Sequence, residues 1–460
     1  MKKTILASAL TLLAASSALA DAKYVFYFIG DGMGMGHVNT TETYRRDILK
    51  TDSPLLMLTF PIAGQVRTYS ANAPITDSAA AGTALSTGYK TNNYTVGEDP
   101  AGNDVYSISS DFMKAGRAVG VLTSVAGDDA TPAAFYAHAA DRKMKEKISG
   151  YAPTSGISFF GAPVFKGMTD REGRPTDWVQ RMQKAGYTLV NDLADLAAKQ
   201  GAAKVLMLAE KPQGEQLGYT LDAVEGTLSL QEMTTAALGV LDDDPDGFFM
   251  MVEGGNIDWA AHANDGATVV KEIVNFQNAI DVAYQFYLRH PEETLIVVTA
   301  DHDTGGMALG RADNPKNMRL DLIDAQKISK DAFADRCRRL YKEKSPTWPE
   351  MEKFITDSLG VRRSIEFTPE EMAEVKKSFD ETFITRRAAD EKTLYNDFNN
   401  FTVTLYNILN RHYGIAFTSP SHTANFVPVY AIGEGSTLFG GSLDNIEIPM
   451  KILEAAGLKR

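Results

Sequence analysis

Runs of apolar residues long enough for one strand recur along the chain, and each stops at a polar residue. Residues 23–29, Lys23-Tyr24-Val25-Phe26-Tyr27-Phe28-Ile29, form a nearly unbroken apolar and aromatic run ending at Gly30-Asp31-Gly32-Met33-Gly34. That is the pattern of a strand covered on both faces and followed by a glycine turn. Val119-Gly120-Val121-Leu122-Thr123 leads in the same way to Asp128, Asp129 and Thr131. Phe248-Phe249-Met250-Met251-Val252 leads to Glu253, and Leu295-Ile296-Val297-Val298-Thr299 leads to Asp301 and His302. Between such runs lie helical patterns, as over residues 266–290, where Val270, Ile273, Val274, Ile280 and Ala283 keep a helical spacing. Buried strands alternating with helices predict an α/β fold, a three-layer sandwich with a mainly parallel central sheet flanked by helices. Ligands of such sheets bind beyond the carboxyl ends of the strands, where these four runs deliver their polar residues.

The pattern changes at about residue 311. From there to about 414 the chain is charged and helical, with no clear buried strand, and Thr368-Pro369-Glu370-Glu371 reads as a helix start with a Thr cap and a capping-box Glu. We read 311–414 as an inserted, largely helical segment of a single domain spanning 21–460. Sheet pattern resumes at Val427-Pro428-Val429-Tyr430-Ala431-Ile432, just after His422. At the other end, Lys2 and Lys3 precede an apolar run from Ile5 to about Ala15 and then Ala18-Leu19-Ala20, which predicts a secretory signal peptide over 1–20 and export to the periplasm or beyond.

Composition narrows the partners. The 460 residues are 44% hydrophobic and 23% charged, an ordinary globular balance. The formal net charge of −13 grows by two when a leader holding Lys2 and Lys3 is removed. Such a surface disfavours nucleic acid and anionic membrane as partners. Cys337 is the only cysteine, so no disulfide can form within the chain. The glycines after the first strand fail the dinucleotide spacing G-x-G-x-x-G, since the third position falls on Met35 or His37.

Candidate chemistry centres on Ile75-Thr76-Asp77-Ser78-Ala79-Ala80-Ala81-Gly82-Thr83-Ala84, one hydroxyl among small side chains. Asp77 and Ser78 suit a capped helix start, whose free N–H groups and dipole favour a bound anion; an alanine-rich surface helix has the same look. Glu253-Gly254-Gly255-Asn256-Ile257-Asp258-Trp259-Ala260-Ala261-His262 puts Asp258 and His262 on one helix face. That spacing serves a transition metal and, more often, a surface ion pair. Asp301-His302 and His422 add further oxygen and imidazole donors, whereas His37, His138, His290 and His412 are read as ordinary core or surface histidines.

Taken in order, Asp31-Gly32-Met33-Gly34, Asp77-Ser78-Ala79-Ala80, Asp129-Ala130-Thr131-Pro132-Ala133-Ala134 with Arg142, residues 253–262, Thr299-Ala300-Asp301-His302 and Ser421-His422-Thr423 resemble the alkaline phosphatases. The resemblance runs from about residue 23 to the C-terminus, with 311–414 unaligned. It implies hydrolysis of phosphate monoesters, with Ser78 as nucleophile and Arg142 as clamp on two phosphate oxygens. It implies one zinc ion held by Asp258, His262 and His422, and a second by Asp31, Asp301, His302 and Ser78. A magnesium ion would be shared by Asp31, Thr131 and Glu253. Small phosphorylated molecules would be the substrates, and the family is commonly homodimeric. Trp259 and Asp129 depart from the pattern, since the best-studied members carry Lys or His at the first position and some relatives carry His at the second. A phosphodiesterase or sulfatase of the same superfamily is the alternative activity; sulfatases set their nucleophile in C/S-x-P-x-R, which Ser78 lacks. A phosphate- or metal-sequestering protein is the non-enzymatic alternative.

Overall fold

The structure, a computed structural model, describes residues 21–199, 201–311, 318–387 and 390–460. The expected signal peptide over 1–20 therefore lies outside the described residues, as do 312–317 and 388–389 of the 311–414 segment. No helix among the described residues is long and apolar enough to cross a membrane.

Eight strands are labelled in chain order: β1 Tyr24–Ile29, β2 Ile62–Arg67, β3 Ala118–Thr123, β4 Phe159–Ala162, β5 Thr188–Val190, β6 Val205–Leu208, β7 Phe248–Glu253 and β8 Thr294–Thr299. With Val427–Gly433 and Gly441–Asp444 they build one ten-stranded sheet. Its order is Gly441–Asp444, β2, Val427–Gly433, β8, β1, β7, β3, β4, β6, β5. Only Val427–Gly433 runs antiparallel to its neighbours, so the sheet is mainly parallel, as the apolar runs predict. Every residue of β1, β7 and β8 is buried, because helices cover both faces and no position is free to be polar.

Register fixes where the chemistry falls. Ile29 at the end of β1 pairs with Glu253 on one side and Thr299 on the other, and Thr123 pairs with Glu253. Strands β8, β1, β7 and β3 are consecutive in the sheet and end level. The four loops that carry Asp301-His302, Asp31, the 253–262 stretch and Asp129 thus open side by side at one carboxyl edge. Helix Gly266–Tyr287 lies across this half of the sheet through the buried stripe of Val269, Val270, Ile273, Phe276, Ile280 and Ala283.

The segment 311–414 is helical at Lys330–Glu343, Trp348–Leu359, Pro369–Phe379 and Asn400–Tyr413. Thr368 caps the third of these in a capping box with Glu371, as its sequence predicts. Phe333, Phe354, Phe379, Phe383 and Phe401 pack ring to ring at its centre. These rings and the sheet share one continuous apolar core. Gln326 and the backbone N–H of Lys330 donate to buried Asp265, which ties the segment to the start of helix Gly266–Tyr287. One feature is additional to the expected helices, a two-residue antiparallel hairpin of Glu391–Lys392 with Asp397–Phe398, too short to leave an alternating pattern.

Candidate active site

Helix Ser78–Thr87 starts at the edge where the four strands end. Asp77 is extended before it, and its Oδ1 accepts from the N–H of Ala80 at 3.0 Å and of Tyr94 at 3.0 Å. The whole helix is buried, which explains its small side chains better than helix propensity does. Gly82 is part of that fit, since a Cβ there would stand 3.1 Å from Thr131 Cα. Ser78 is the first helical residue, 1% exposed, with its Oγ 3.2 Å from His302 Nε2.

His302 in turn lies 3.1 Å from Asp301 Oδ2 and 3.4 Å from Asp31 Oδ1. Asp301 Oδ1 accepts from the N–H groups of Gly32 at 3.0 Å and His302 at 2.8 Å, while its Oδ2 has no hydrogen-bond partner. Asp31 Oδ1 and Asp258 Oδ2 are also buried without a hydrogen-bond partner. Three orphaned carboxylate oxygens at one place are costly unless something binds them.

The expected second group is also together. His262 Nε2 is 3.0 Å from His422 Nε2 and 3.5 Å from Asp258 Oδ2, and His422 Nε2 is 3.8 Å from Asp258 Oδ1. The Nδ1 atoms of His262 and His422 face the carbonyls of Pro420 at 2.7 Å and Thr76 at 2.8 Å. Protonated Nδ1 atoms there leave both Nε2 lone pairs aimed inward. Thr304 donates to Asp258 Oδ1 at 2.5 Å and touches His302 Nδ1 at 3.2 Å. The rings of His302 and His422 stack at 3.6 Å, so His302 reaches donors of both groups rather than of one. Of the third group, Thr131 Oγ1 is 3.5 Å from Asp31 Oδ2, and Glu253 accepts from the Thr123 hydroxyl.

Electrostatics follow from this crowding. Burial, and then repulsion among Asp301, Asp258 and Glu253, pushes Asp31 well above the ordinary carboxylate range. Burial chiefly raises Asp301 to about 7 and Glu253 to about 8. Burial and the neighbouring His422 and His262 hold His302 well below its ordinary value, hence neutral. Neutral imidazoles beside acids that keep their protons form a donor set in which divalent cations replace the protons. Residues Asp31, Asp301 and His302, and Asp258, His302 and His422, each bring ligand atoms within 4.8 Å of one another. The residues present therefore fit bound metal.

Arg142 spans the other side. Its Nη1 is 3.3 Å from Asp77 Oδ2 and its Nη2 is 3.1 Å from Asp129 Oδ1. Lys145 Nζ reaches the same Asp129 oxygen at 3.1 Å. Burial opposes charge on Asp129, but Lys145, Arg142 and Lys166 hold its carboxyl well below the usual range. Asp129 is thus an ionised anchor for two cations. Lys145 was not foreseen, because nothing in Arg142-Lys143-Met144-Lys145 separates it from exposed Lys143. Trp259 stacks at 4.5 Å on Tyr395 of the 311–414 segment, and Tyr395 is another residue that the sequence did not single out. Of the histidines left aside, His138 Nδ1 donates to the Gly97 carbonyl, His290 stacks on Phe286 and His412 meets Glu371. His37 lies buried 3.5 Å from Asp303 Oδ1, one position beyond His302.

Comparison with known proteins identifies the family. The family model described as "Alkaline phosphatase" matches residues 22–160 and 155–458. Alkaline phosphatases 3 and 4 of Bacillus subtilis (strain 168) are each 30% identical, over 442 and 450 residues, covering 95% of this chain and 89% of theirs. The crystal structure of a cold-active alkaline phosphatase from Shewanella sp. superposes with a TM-score of 0.79 at 28% identity. That match covers 94% of this chain and 99% of the other.

Proposed function

The chain belongs to the alkaline phosphatase family of metal-binding hydrolases, and from that premise we propose that it hydrolyses phosphate monoesters through a covalent phosphoserine at Ser78. One observation carries the proposal: the Ser78 hydroxyl, at a helix N-terminus, faces His302 at 3.2 Å inside a cluster of buried carboxylates and imidazoles. Asp31, Asp301, His302 and Ser78 would hold one zinc, Asp258, His262 and His422 a second, and Asp31, Thr131 and Glu253 a magnesium. Mixed nitrogen and oxygen donors suit zinc, and oxygen donors alone suit magnesium. When bound, such ions supply charge at the entering and leaving oxygens and lower the pKa of hydroxyl and water.

The chain's own residues do the rest. Arg142, held by Asp77 and Asp129, presents a planar fork that takes two phosphoryl oxygens. The N-terminal N–H groups of helix Ser78–Thr87 add positive field at the same place. Ser78 Oγ forms a bond to phosphorus as the ester oxygen departs and leaves as the alcohol; water then cleaves the phosphoserine, releasing inorganic phosphate and restoring the hydroxyl. Positive charge from cations, Arg142 and the helix offsets the acidic surface locally.

Three further readings go with it: a single domain with 311–414 inserted, export after cleavage before Asp21, and a homodimer. Intact mass and light scattering of protein recovered from outside the cytoplasm check the last two. The activity itself is tested by metal content and by hydrolysis of an aryl phosphate monoester and diester, with wild type and Ser78→Ala. Monoester turnover that depends on Ser78 supports the proposal, and diester preference would move it to the related diesterases.

A further inference from the structure

The inserted segment sends one aromatic side chain into the site. The hairpin Glu391–Lys392 with Asp397–Phe398 turns through Thr393 and Asn396, whose backbone groups bond at 2.9 Å, and Tyr395 stands at its tip. Three anchors fix that tip. Asn396 donates to Asp331, which also accepts from the Tyr219 hydroxyl at 3.0 Å. Phe398 is fully buried against Ala263 and Ala334, and Ala263 is the residue that ends helix Asn256–His262, the carrier of Asp258 and His262. Lys330 Nζ donates to the Ala263 carbonyl at 2.7 Å and lies 4.5 Å over the Phe398 ring.

So held, the Tyr395 ring stacks on Trp259 at 4.5 Å with the planes 23° apart, and meets His262 edge-on at 5.3 Å. These contacts place the ring against the helix that carries Asp258 and His262, and Asp258, Arg142, Asp129 and Asp31 are near enough to act on its phenol electrostatically. The Arg142 guanidinium, which touches Asp77 and Asp129, lies near enough to the phenol to interact with it electrostatically. The ring therefore stands beside the donors around His262, with Arg142 nearby. Among the described residues, no protein group hydrogen-bonds to its hydroxyl. A phenol is protonated at neutral pH, so this hydroxyl is a hydrogen-bond donor at the edge of the site with no protein acceptor among the described residues.

We propose that Tyr395 is a substrate-contacting residue: its hydroxyl donates to a phosphoryl oxygen beside Arg142, and its ring, stacked on Trp259, forms a wall against which a planar leaving group packs. This rests on the monoesterase reading above. It makes the insertion a selector of leaving groups, with aryl and nucleoside monoesters preferred over small alkyl monoesters because they add stacking on an aromatic face.

The test uses metal-loaded wild type, Tyr395→Phe and Tyr395→Ala, with matched melting temperature and metal content. Inorganic phosphate binding is measured by calorimetry, and kcat/KM is measured for 4-nitrophenyl phosphate and for methyl phosphate. Tyr395→Phe keeps the stack and is expected to weaken inorganic phosphate about five- to twentyfold, with equal losses on both esters. Tyr395→Ala is expected to lose, in addition, about five- to tenfold in the ratio of aryl to methyl ester. Unchanged phosphate affinity in Tyr395→Phe overturns the proposal, as does an aryl-to-methyl ratio that Tyr395→Ala leaves where it was. Metal-loaded wild type that turns over neither ester would instead overturn the monoesterase reading.

Discussion

Ser78 Oγ and His302 Nε2 stand 3.2 Å apart, although 224 positions of sequence separate them. The pairing joins a helix N-terminus to the end of β8, and both elements are wholly buried. Ser78 thus shares its His302 neighbour with Asp31 and Asp301.

The carboxylate cluster predicts an unusual stability profile. Asp301 at about 7 and Glu253 at about 8 are raised above their ordinary values by burial. Raised acids contribute full stability below pH 4 and lose it as pH climbs through 7 to 8. Metal-free protein is therefore expected to melt at progressively lower temperature from pH 5 to pH 9. Added zinc and magnesium should restore most at the high end, by about 3 kcal/mol at a hundredfold excess over Kd. Thermal melts in chelator and in metal across that range check this.

Thr304 donates to Asp258 Oδ1 at 2.5 Å and touches His302, so it orients donors of both expected zinc sites. Thr304→Val keeps the shape and removes the hydroxyl. Zinc affinity should fall roughly ten- to a hundredfold with the fold intact, read by competition with a chromogenic chelator.

Arg142 meets Asp77 with one nitrogen and Asp129 with the other, which sets its plane. Arg142→Lys retains the charge and loses the fork. Inhibition by inorganic phosphate should weaken by roughly ten- to a hundredfold, while metal content stays at the wild-type level.

How much of this was legible in the sequence depends on how local each signal is. Strands β1, β3, β7 and β8 announce themselves because burial on both faces leaves unbroken apolar runs. The Asp77 cap is legible because its acceptor bonds Ala80, three residues on. Asp258 and His262 are legible as a helical pair. Lys145 and Thr304 were not, since their partners lie sixteen and forty-six positions away and their residue types are common on any surface. Tyr395 was hidden more deeply, because a hairpin of two-residue strands has no periodicity and its partner Trp259 lies across the fold.

The central claim is that Ser78 itself carries the phosphoryl group. Metal-loaded enzyme is mixed with excess aryl phosphate, quenched in acid, digested and mapped by mass spectrometry. The account predicts phosphate on Ser78 in the peptide containing Asp77-Ser78-Ala79, and neither label nor turnover in Ser78→Ala. Monoester turnover undiminished in Ser78→Ala, with no phosphorylated peptide from wild type, would contradict it.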